Sequence, residues 1–302
     1  MRVTSTELGD ILNINPDSLM CSKIEYNNLE YNEISPTELQ KYICHFIDVL
    51  TDDIVFSGKH RLPSWETGWE ENLKEFSLTK NIQSLIPKYH RKGRLVRWKD
   101  KMVSPVFPDF DYSLHIIIVD IVLRKYLKNV NQIVEFGCGP GYHLARISQY
   151  FPEKKLIGTD WTQASQTIIQ EINRVKKLDI QGYNFDFFSP DFSLPVDSST
   201  GIYTVAALEQ VGGQFIEFVN FLLQKKPSIC VHFEPIGELL PDDNVLCKLT
   251  KKYFEKRNYL KGYLTYLETL EKQGKIEILD KRRTYSGSYY IEGHSLIVWK
   301  PL

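Results

Sequence analysis

Hydrophobic and polar positions follow two patterns along the chain, and the change falls near residue 130. From there on, short apolar runs alternate with longer amphipathic stretches. Runs of this length predict β-strands, and the stretches between them predict helices. The predicted strands cover residues 133–136, 155–160, 182–187, 201–207 and 228–233, and the predicted helices cover residues 142–151, 162–176 and 214–224. This alternation predicts a parallel sheet with right-handed crossovers.

The pattern changes again towards the C-terminus. Residues 244–273 are rich in Tyr and Lys and predict a long helical region. Residues 275–283 and 290–300 then predict two strands, which we expect to form an antiparallel pair joined through Ser286-Gly287-Ser288.

The first third of the chain predicts helices and irregular segments. Ser35-Pro36-Thr37-Glu38 has the residues of a capping box, and apolar residues follow it at helical spacing. Residues 63–69 predict a loop that leads into a short helix, and residues 112–127 predict a second long helix. We place a boundary near residue 108. It divides an N-terminal, mainly helical extension (1–108), a cap or substrate-binding region, from a C-terminal α/β domain (109–302).

Composition and charge are typical of a globular protein. The chain has 302 residues, with 37 Lys or Arg and 38 Asp or Glu, so it lacks the basic excess of a general nucleic-acid binder. Its five cysteines contain no CxxC, which favours reduced thiols over disulfides or a metal site. The most apolar window, residues 116–123, is too short to span a membrane. With no apolar leader at the N-terminus, we expect a cytoplasmic protein.

A glycine-rich turn carries the most chemical information. Glu135-Phe136-Gly137-Cys138-Gly139-Pro140-Gly141 leaves the first predicted strand and enters a helix. Its glycines allow a tight turn and the close approach of a ligand. The bulky Tyr142 stands where a dinucleotide fingerprint has its last glycine, and the acid Glu135 suits a cationic group better than a diphosphate. These features favour a cofactor with an amino-acid ammonium and a sulfonium.

Side chains at the ends of the next strands suit a nucleoside. Asp160 ends the second predicted strand, 25 residues after Glu135, where a carboxylate can accept hydrogen bonds from both ribose hydroxyls. Trp161 follows it and is placed to lie against a flat base. Asp186 ends the third predicted strand, where its carboxylate can accept from an exocyclic amine. The fourth strand ends in Ala206-Ala207-Leu208-Glu209. Since ligands bind outside the carboxyl ends of such strands, we expect these residues to face one crevice.

The run 134–141, with Asp160 and Asp186, resembles the class I S-adenosylmethionine (SAM)-dependent methyltransferases. The resemblance covers residues 109–302 and implies a Rossmann-like, doubly wound, mostly parallel seven-stranded sheet with an antiparallel last strand. It also implies SAM as the cofactor. The cofactor-binding residues that it implies are Glu135, Gly137, Gly139 and Gly141 at the methionine portion, Asp160 at the ribose, Trp161 beside the adenine, and Asp186 with Phe187 at the adenine amino group.

The resemblance fixes no general base, and a base helps when the acceptor is a hydroxyl group. His143 opens the helix after the glycine turn, Glu209 follows the fourth strand, and Glu234 ends the fifth. His232 shares a strand face with Glu234, although a histidine on a strand is more often a core residue. We take Glu209, Glu234 and His143 as the candidate catalytic residues.

Charge is distributed unevenly before the predicted domain. Residues 1–80 contain 14 acids and 7 Lys or Arg, whereas residues 88–101 contain seven Lys or Arg and one Asp. This basic segment either presents Arg91, Arg94 and Arg97 to an anionic acceptor or pairs with the acidic segment before it.

The leading hypothesis is methyl transfer to an O or N of a small-molecule acceptor, which could be anionic or a nucleotide-linked sugar. The length of the chain favours it, because a minimal domain of this type needs only the C-terminal two-thirds. Two alternatives stay open: an RNA or protein methyltransferase, and a catalytically silent protein of this fold that acts as a scaffold. We expect neither a membrane nor a nucleic acid as the partner.

Overall fold

The computed structural model describes residues 1–88, 94–292 and 294–302. The α-helices in this part of the chain are α1 (Ser5–Leu12), α2 (Ser18–Asn27), α3 (Pro36–Thr51), α4 (Leu62–Thr79), α5 (Phe110–Tyr126), α6 (Tyr142–Ile147), α7 (Gln163–Lys176), α8 (Ile216–Lys225), α9 (Val245–Arg257) and α10 (Tyr263–Lys272). The strands are β1 (Tyr31–Glu33), β2 (Val96–Trp98), β3 (Lys101–Pro105), β4 (Gln132–Phe136), β5 (Lys155–Asp160), β6 (Ile180–Asn184), β7 (Thr200–Val205), β8 (Ile229–Glu234), β9 (Ile276–Arg282), β10 (Ser286–Gly287) and β11 (Ser295–Pro301).

Seven strands form one sheet in the order β6-β5-β4-β7-β8-β11-β9. The pairs from β6 to β8 are parallel, whereas β11 runs antiparallel to both β8 and β9. Neighbouring residues of β8 point into different hydrophobic cores: Val231 and Phe233 lie in one, and Cys230 lies in the other. Both faces of the sheet are therefore covered, as a doubly wound fold requires. The predicted fold class is confirmed.

A smaller, four-stranded sheet contains strands from both the N-terminal and the C-terminal regions. Its order is β1-β3-β2-β10, so β10, from the C-terminal region, pairs with β2, which precedes residue 108. Ser286 and Gly287 therefore do not simply link the last two strands of the large sheet, as the sequence predicted. The boundary near residue 108 stays a prediction. Among the described residues, no helix combines the length and apolar content that crossing a membrane requires.

Three predicted elements differ from the structure. Residues 63–69 lie in helix α4 instead of a loop, because Pro63 stands in the first turn, where a helix tolerates proline. The third parallel strand, predicted over residues 182–187, is β6 at Ile180–Asn184, so Asp186 follows the strand instead of ending it. The long C-terminal helical region is two helices, because Asn258 adopts a left-handed φ of 52° that ends α9.

Buried charges tie the N-terminal helices to the large sheet. Asp120, on α5, is 6% exposed. Its carboxylate accepts hydrogen bonds from Lys23 of α2 at 2.5 Å, from Arg146 of α6 and from the hydroxyl of Tyr150 at 2.8 Å. Removing one member of such a network leaves the others in a poorly solvated place without compensation.

Replacing Asp120 should therefore destabilise the whole protein. We expect Asp120→Ala to lower the free energy of unfolding by about 3 kcal/mol, measured by urea denaturation. Asp242→Ala is the matched control, because Asp242 makes an exposed ion pair with Lys251, and its loss should cost at most about 1 kcal/mol. Equal effects of the two substitutions would contradict this account of the network.

Candidate functional site

The glycine turn after β4 forms the floor of a cavity at the carboxyl edge of the large sheet. Gly137 and Gly139 have left-handed φ angles of 71° and 50°, which other residues rarely adopt. A Cβ on Gly137 would lie 2.3 Å from the Cβ of Ala207, and one on Gly139 would lie 2.9 Å from the indole of Trp69. Both positions therefore require glycine.

Asp160, the last residue of β5, is fixed against this turn. Its carboxylate accepts hydrogen bonds from the backbone N–H of Gly139 at 3.0 Å, and from the N–H and hydroxyl of Thr162 at 2.9 and 2.7 Å. Burial raises the pKa of Asp160, and these donors oppose the rise. Because the residue also lines the cavity, its carboxylate is held in place for a ligand.

Glu135, on β4, is buried beneath the turn and also lines the cavity. The hydroxyl of Tyr203 donates a hydrogen bond to its carboxylate at 2.9 Å. Burial raises the pKa of Glu135 well above its ordinary value, and the nearby charge of Asp160 raises it further. A cationic group bound in the cavity would favour the ionised form and lower that pKa again.

Asp186, Phe187 and Trp161 line another part of the same cavity. Asp186 lies two residues past the end of β6, and its carboxylate accepts a hydrogen bond from the N–H of Phe188 at 2.8 Å. The Nζ of Lys59 lies 3.8 Å from the same carboxylate. The rings of Trp161 and Phe188 are close to parallel, with planes 29° apart. This part of the cavity combines a carboxylate with flat aromatic surfaces.

Seven of the eight residues predicted to bind the cofactor line this cavity, and His143 lines it with them. The exception is Gly141, which precedes α6 with a φ of 68°. A Cβ at this position would lie 3.0 Å from the side chain of Ile172. Gly141 therefore shapes the turn and its packing against α7.

Helix α4 covers the cavity from the N-terminal side. The indole of Trp69 lies against Gly139, and Trp65 stacks on Trp69 with ring centroids 5.3 Å apart. Between them, Glu66 accepts hydrogen bonds from two backbone N–H groups at the start of α7, at 2.7 and 2.9 Å. A carboxylate is favourable at a helix N-terminus. These residues were not predicted from the sequence, although a Trp-x-x-x-Trp spacing places both indoles on one face of a helix.

The two predicted catalytic acids lie side by side beneath the edge of the sheet. Glu234 is fully buried and accepts hydrogen bonds from the N–H groups of Ala207, Leu208 and Glu209 at 3.0–3.2 Å. Burial raises the pKa of Glu234 to about 7, against the effect of these donors. Burial, together with the charge of Glu234, raises the pKa of Glu209 to about 8. Glu209 is therefore mostly protonated at neutral pH, while Glu234 holds the turn and is absent from the cavity lining.

His232 is part of the core. It is fully buried on β8, with its Nδ1 3.0 Å from the hydroxyl of Thr204 and its ring against Trp299. Burial lowers the pKa of His232 to about 3. This environment favours the structural interpretation of His232 that the sequence analysis left open.

A second cavity, of about 520 Å³, adjoins the first. The two share Trp65, Trp69, Ala206 and Gln210 as common wall. The Nε2 of Gln210 donates a hydrogen bond to Glu209 at 2.9 Å, and its amide oxygen is buried with no hydrogen-bond partner among the described residues. The shared wall thus contains a buried amide oxygen with no hydrogen-bond partner in the described part of the chain.

Three histidine rings lie close together along the walls of the two cavities. His143 lines the first, and its ring centroid lies 6.1 Å from that of His115, which lines the second. His294 lies 5.0 Å beyond His115 and lines the second cavity too. Asp111, one turn before His115 on α5, faces the same cavity, and burial raises its pKa to about 6. Asp111, His115 and His294 were not predicted from the sequence, in which the Asp-x-x-x-His spacing of the first two is the available signal.

The basic segment 88–101 is divided between several environments. Arg97 is buried on β2, where its guanidinium donates to a tyrosine hydroxyl at 3.2 Å, so it does not face an acceptor. Lys99 and Lys101 form ion pairs with acids of the N-terminal region. Arg94 lines the second cavity, and Arg91 lies outside the described residues.

No protein-family model and no curated protein matches this chain. Solved structures that are similar to it include methyltransferases. An O-methyltransferase family protein from Burkholderia thailandensis is 12% identical, with a TM-score of 0.46 over 64% of this chain and 57% of that one. Magnesium protoporphyrin IX methyltransferase from Synechocystis, solved with bound S-adenosylhomocysteine (SAH), is 10% identical, with a TM-score of 0.44 over 63% of this chain and 82% of that one. A small RNA methyltransferase is 14% identical, with a TM-score of 0.46 over 64% of this chain and 26% of that one.

The buried Glu209 should make the stability depend on pH. Its pKa in the folded protein, about 8, lies above the ordinary value of 4.5. The folded state therefore binds more protons than the unfolded state between these values, and stability falls as pH rises through that window. Glu209→Gln removes this dependence, so its melting temperature relative to wild type should be higher at pH 8.5 than at pH 6, by about 2 °C or more.

The matched control for this measurement is Glu153→Gln, because the Glu153 side chain is 67% exposed. Its melting temperature relative to wild type should be the same at both pH values. A pH-independent difference for Glu209→Gln would show that Glu209 has an ordinary pKa.

Proposed function

We propose that the protein is a SAM-dependent methyltransferase that transfers a methyl group to an oxygen or nitrogen of a small-molecule acceptor. The observation that carries the proposal is the convergence of Glu135, Asp160 and Asp186 on one cavity, around a turn that requires glycine. These acids suit a ligand that offers an ammonium group, ribose hydroxyls and an adenine amine. The cavity lies outside the carboxyl ends of parallel strands, where such folds bind nucleosides.

Each part of the cofactor has a matching group in the cavity. Glu135 and the glycine turn would hold the methionine portion, and Asp160 the ribose. Asp186 would accept from the adenine amine, with Trp161 against the base. When bound, SAM supplies a methyl group on a positively charged sulfur. The task of the chain is to align the acceptor with that methyl group and to exclude water, and alignment alone is worth about 7–11 kcal/mol in favourable cases.

Several features support a small acceptor over RNA. The second cavity lies partly under helix α4 and shares a wall with the proposed cofactor cavity. The basic residues Arg97, Lys99 and Lys101 already have partners within the protein, so they form no free stripe for a phosphate backbone. We also place the protein in the cytoplasm, which agrees with its five unpaired cysteines.

Binding of SAH, the demethylated product, tests the cofactor. At a concentration 100 times its Kd, SAH should stabilise the protein by about 2.7 kcal/mol, a shift of several degrees in a thermal melt. Asp160→Asn should lose most of this shift, because its amide cannot accept from both ribose hydroxyls as a carboxylate does. The control, Asp191→Asn, changes an acid that is held by Ser193 in a loop, and it should keep the full shift.

The outcomes separate the alternatives. If neither SAM nor SAH shifts the melt of the wild-type protein, the cofactor proposal fails. A shift that survives Asp160→Asn would remove Asp160 from the ribose site. If SAH binds and labelled methyl groups are transferred to RNA or protein but to no small molecule, the acceptor is a macromolecule and the proposed small-molecule acceptor is wrong. Binding without any transfer would favour the scaffold.

A further inference from the structure

We propose that the second cavity is the acceptor site, that it takes an anionic ring compound methylated on a hydroxyl group, and that His143 receives the hydroxyl proton. This inference rests on the proposed function, because it requires a methyl donor in the first cavity. It follows from three properties of the cavity: its aromatic walls, its unpaired positive charges and its histidines.

Aromatic side chains make up much of the cavity wall. Its volume of about 520 Å³ falls in the range of small-molecule sites. Flat rings on several sides favour a ligand that is itself a ring, since ring faces stack on one another and sugar rings pack against them. The aromatic residues of the wall are Trp65, Trp69, Tyr253, Tyr259, Tyr289 and Tyr290.

Three arginines bring positive charge to the same space, and one of them, Arg257, donates hydrogen bonds to the backbone carbonyl of Val55 and the hydroxyl of Tyr259. Arg61 and Arg94 line the cavity, and neither forms an ion pair with another residue in the described part of the chain. The guanidinium of Arg94 lies 5.6 Å from the ring centre of Tyr289. Lys88 also lines the cavity, but it already pairs with two glutamates of α4. A guanidinium binds carboxylate or phosphate through two parallel hydrogen bonds, so these arginines favour an anionic acceptor.

The reacting group must lie where the two cavities meet. His143 lines the cofactor cavity, and its ring centroid lies 6.1 Å from that of His115, which lines the second cavity with His294. Glu209 is a further titratable group near the junction, but at neutral pH it holds its own proton, and its Oε1 accepts a hydrogen bond from Gln210. Gln210 lines both cavities, so its side-chain amide is placed beside the hydroxyl group of the substrate.

These positions give a balanced transfer step. The acceptor oxygen bonds to the methyl carbon while the carbon–sulfur bond breaks, and the sulfur keeps the electron pair of that bond. The hydroxyl proton passes to the imidazole of His143. The positive charge thus moves from the sulfur to the histidine. The carboxyl group of Asp111 faces the second cavity, which His115 and His294 also line.

Titration calorimetry on the SAH-saturated protein tests the acceptor class. Two probes share the required chemistry: 3,4-dihydroxybenzoate represents a phenolic acid, and uridine diphosphate glucose represents a nucleotide-linked sugar. We expect one of them to bind, and the probe that binds shows whether the acceptor is a phenolic acid or a nucleotide-linked sugar. The double substitution Arg61→Gln with Arg94→Gln should weaken that binding at least tenfold. Arg174→Gln, on the exposed face of α7 and paired with Glu171, should leave it unchanged.

Failure of this inference can be told from failure of the proposed function. If SAH itself does not bind, the proposed function is wrong. If SAH binds and neither probe does, or if the double arginine variant binds the probe as well as wild type, the acceptor site is wrong.

Methyl transfer to the bound probe tests His143. His143→Ala should slow transfer at least a hundredfold while the Kd of SAH and of the probe stay within about twofold, and added imidazole should restore part of the rate. His60→Ala is the control, because His60 is exposed and lines neither cavity. Wild-type rates in His143→Ala, a loss that imidazole does not restore, or binding of the probe with no transfer to its hydroxyl would overturn the role of His143.

Discussion

The contact between helix α4 and the glycine turn defines both cavities. Trp69 can reach the turn only because Gly139 has no side chain. Glu66 fixes the same helix to the N-terminus of α7, and Lys59, just before α4, reaches Asp186. The N-terminal region is thus attached at three points to residues around the proposed cofactor site. The indoles that close this site also form the wall of the second cavity, so the shapes of the two cavities are coupled.

The carboxyl edge of the sheet collects acids that are costly to bury. Backbone N–H donors oppose the effect of burial at Asp160 and Glu234, yet burial still raises the pKa of both. Burial also raises the pKa of Glu135 and Glu209, and at Glu209 the charge of the neighbouring Glu234 adds to this effect. Glu209, a reasonable base from its position in the sequence, is therefore mostly protonated at neutral pH and poorly suited to accept a proton.

The large sheet and the first cavity could be predicted from the sequence because their signals are local. Apolar runs mark the strands. Each strand then fixes the position of the residues at its carboxyl end, which are the glycine turn, Asp160 and Asp186. Helix α4 could not be predicted in the same way, because Pro63 and Gly68 are turn signals. Proline is tolerated in the first turn of a helix, and the Cβ position of Gly68 faces open space, so packing decides the outcome. Likewise, the pairing of β10 with β2 joins residues almost two hundred positions apart.

This difference between local and distant signals has a functional counterpart. Most of the proposed cofactor site comes from one continuous stretch, residues 135–188. The parallel strands in this stretch bring their carboxyl ends to one edge of the sheet, independently of the other regions of the chain. The second cavity draws on separate segments near residues 61–72, 94–96, 111–115, 253–259 and 286–294. Substitutions in the last four of these segments can change the shape or charge of the second cavity while the glycine turn and its acids stay in place. The shape and charge of the second cavity, the proposed acceptor site, are therefore encoded mainly in long-range packing, which is where a single sequence carries the least readable signal.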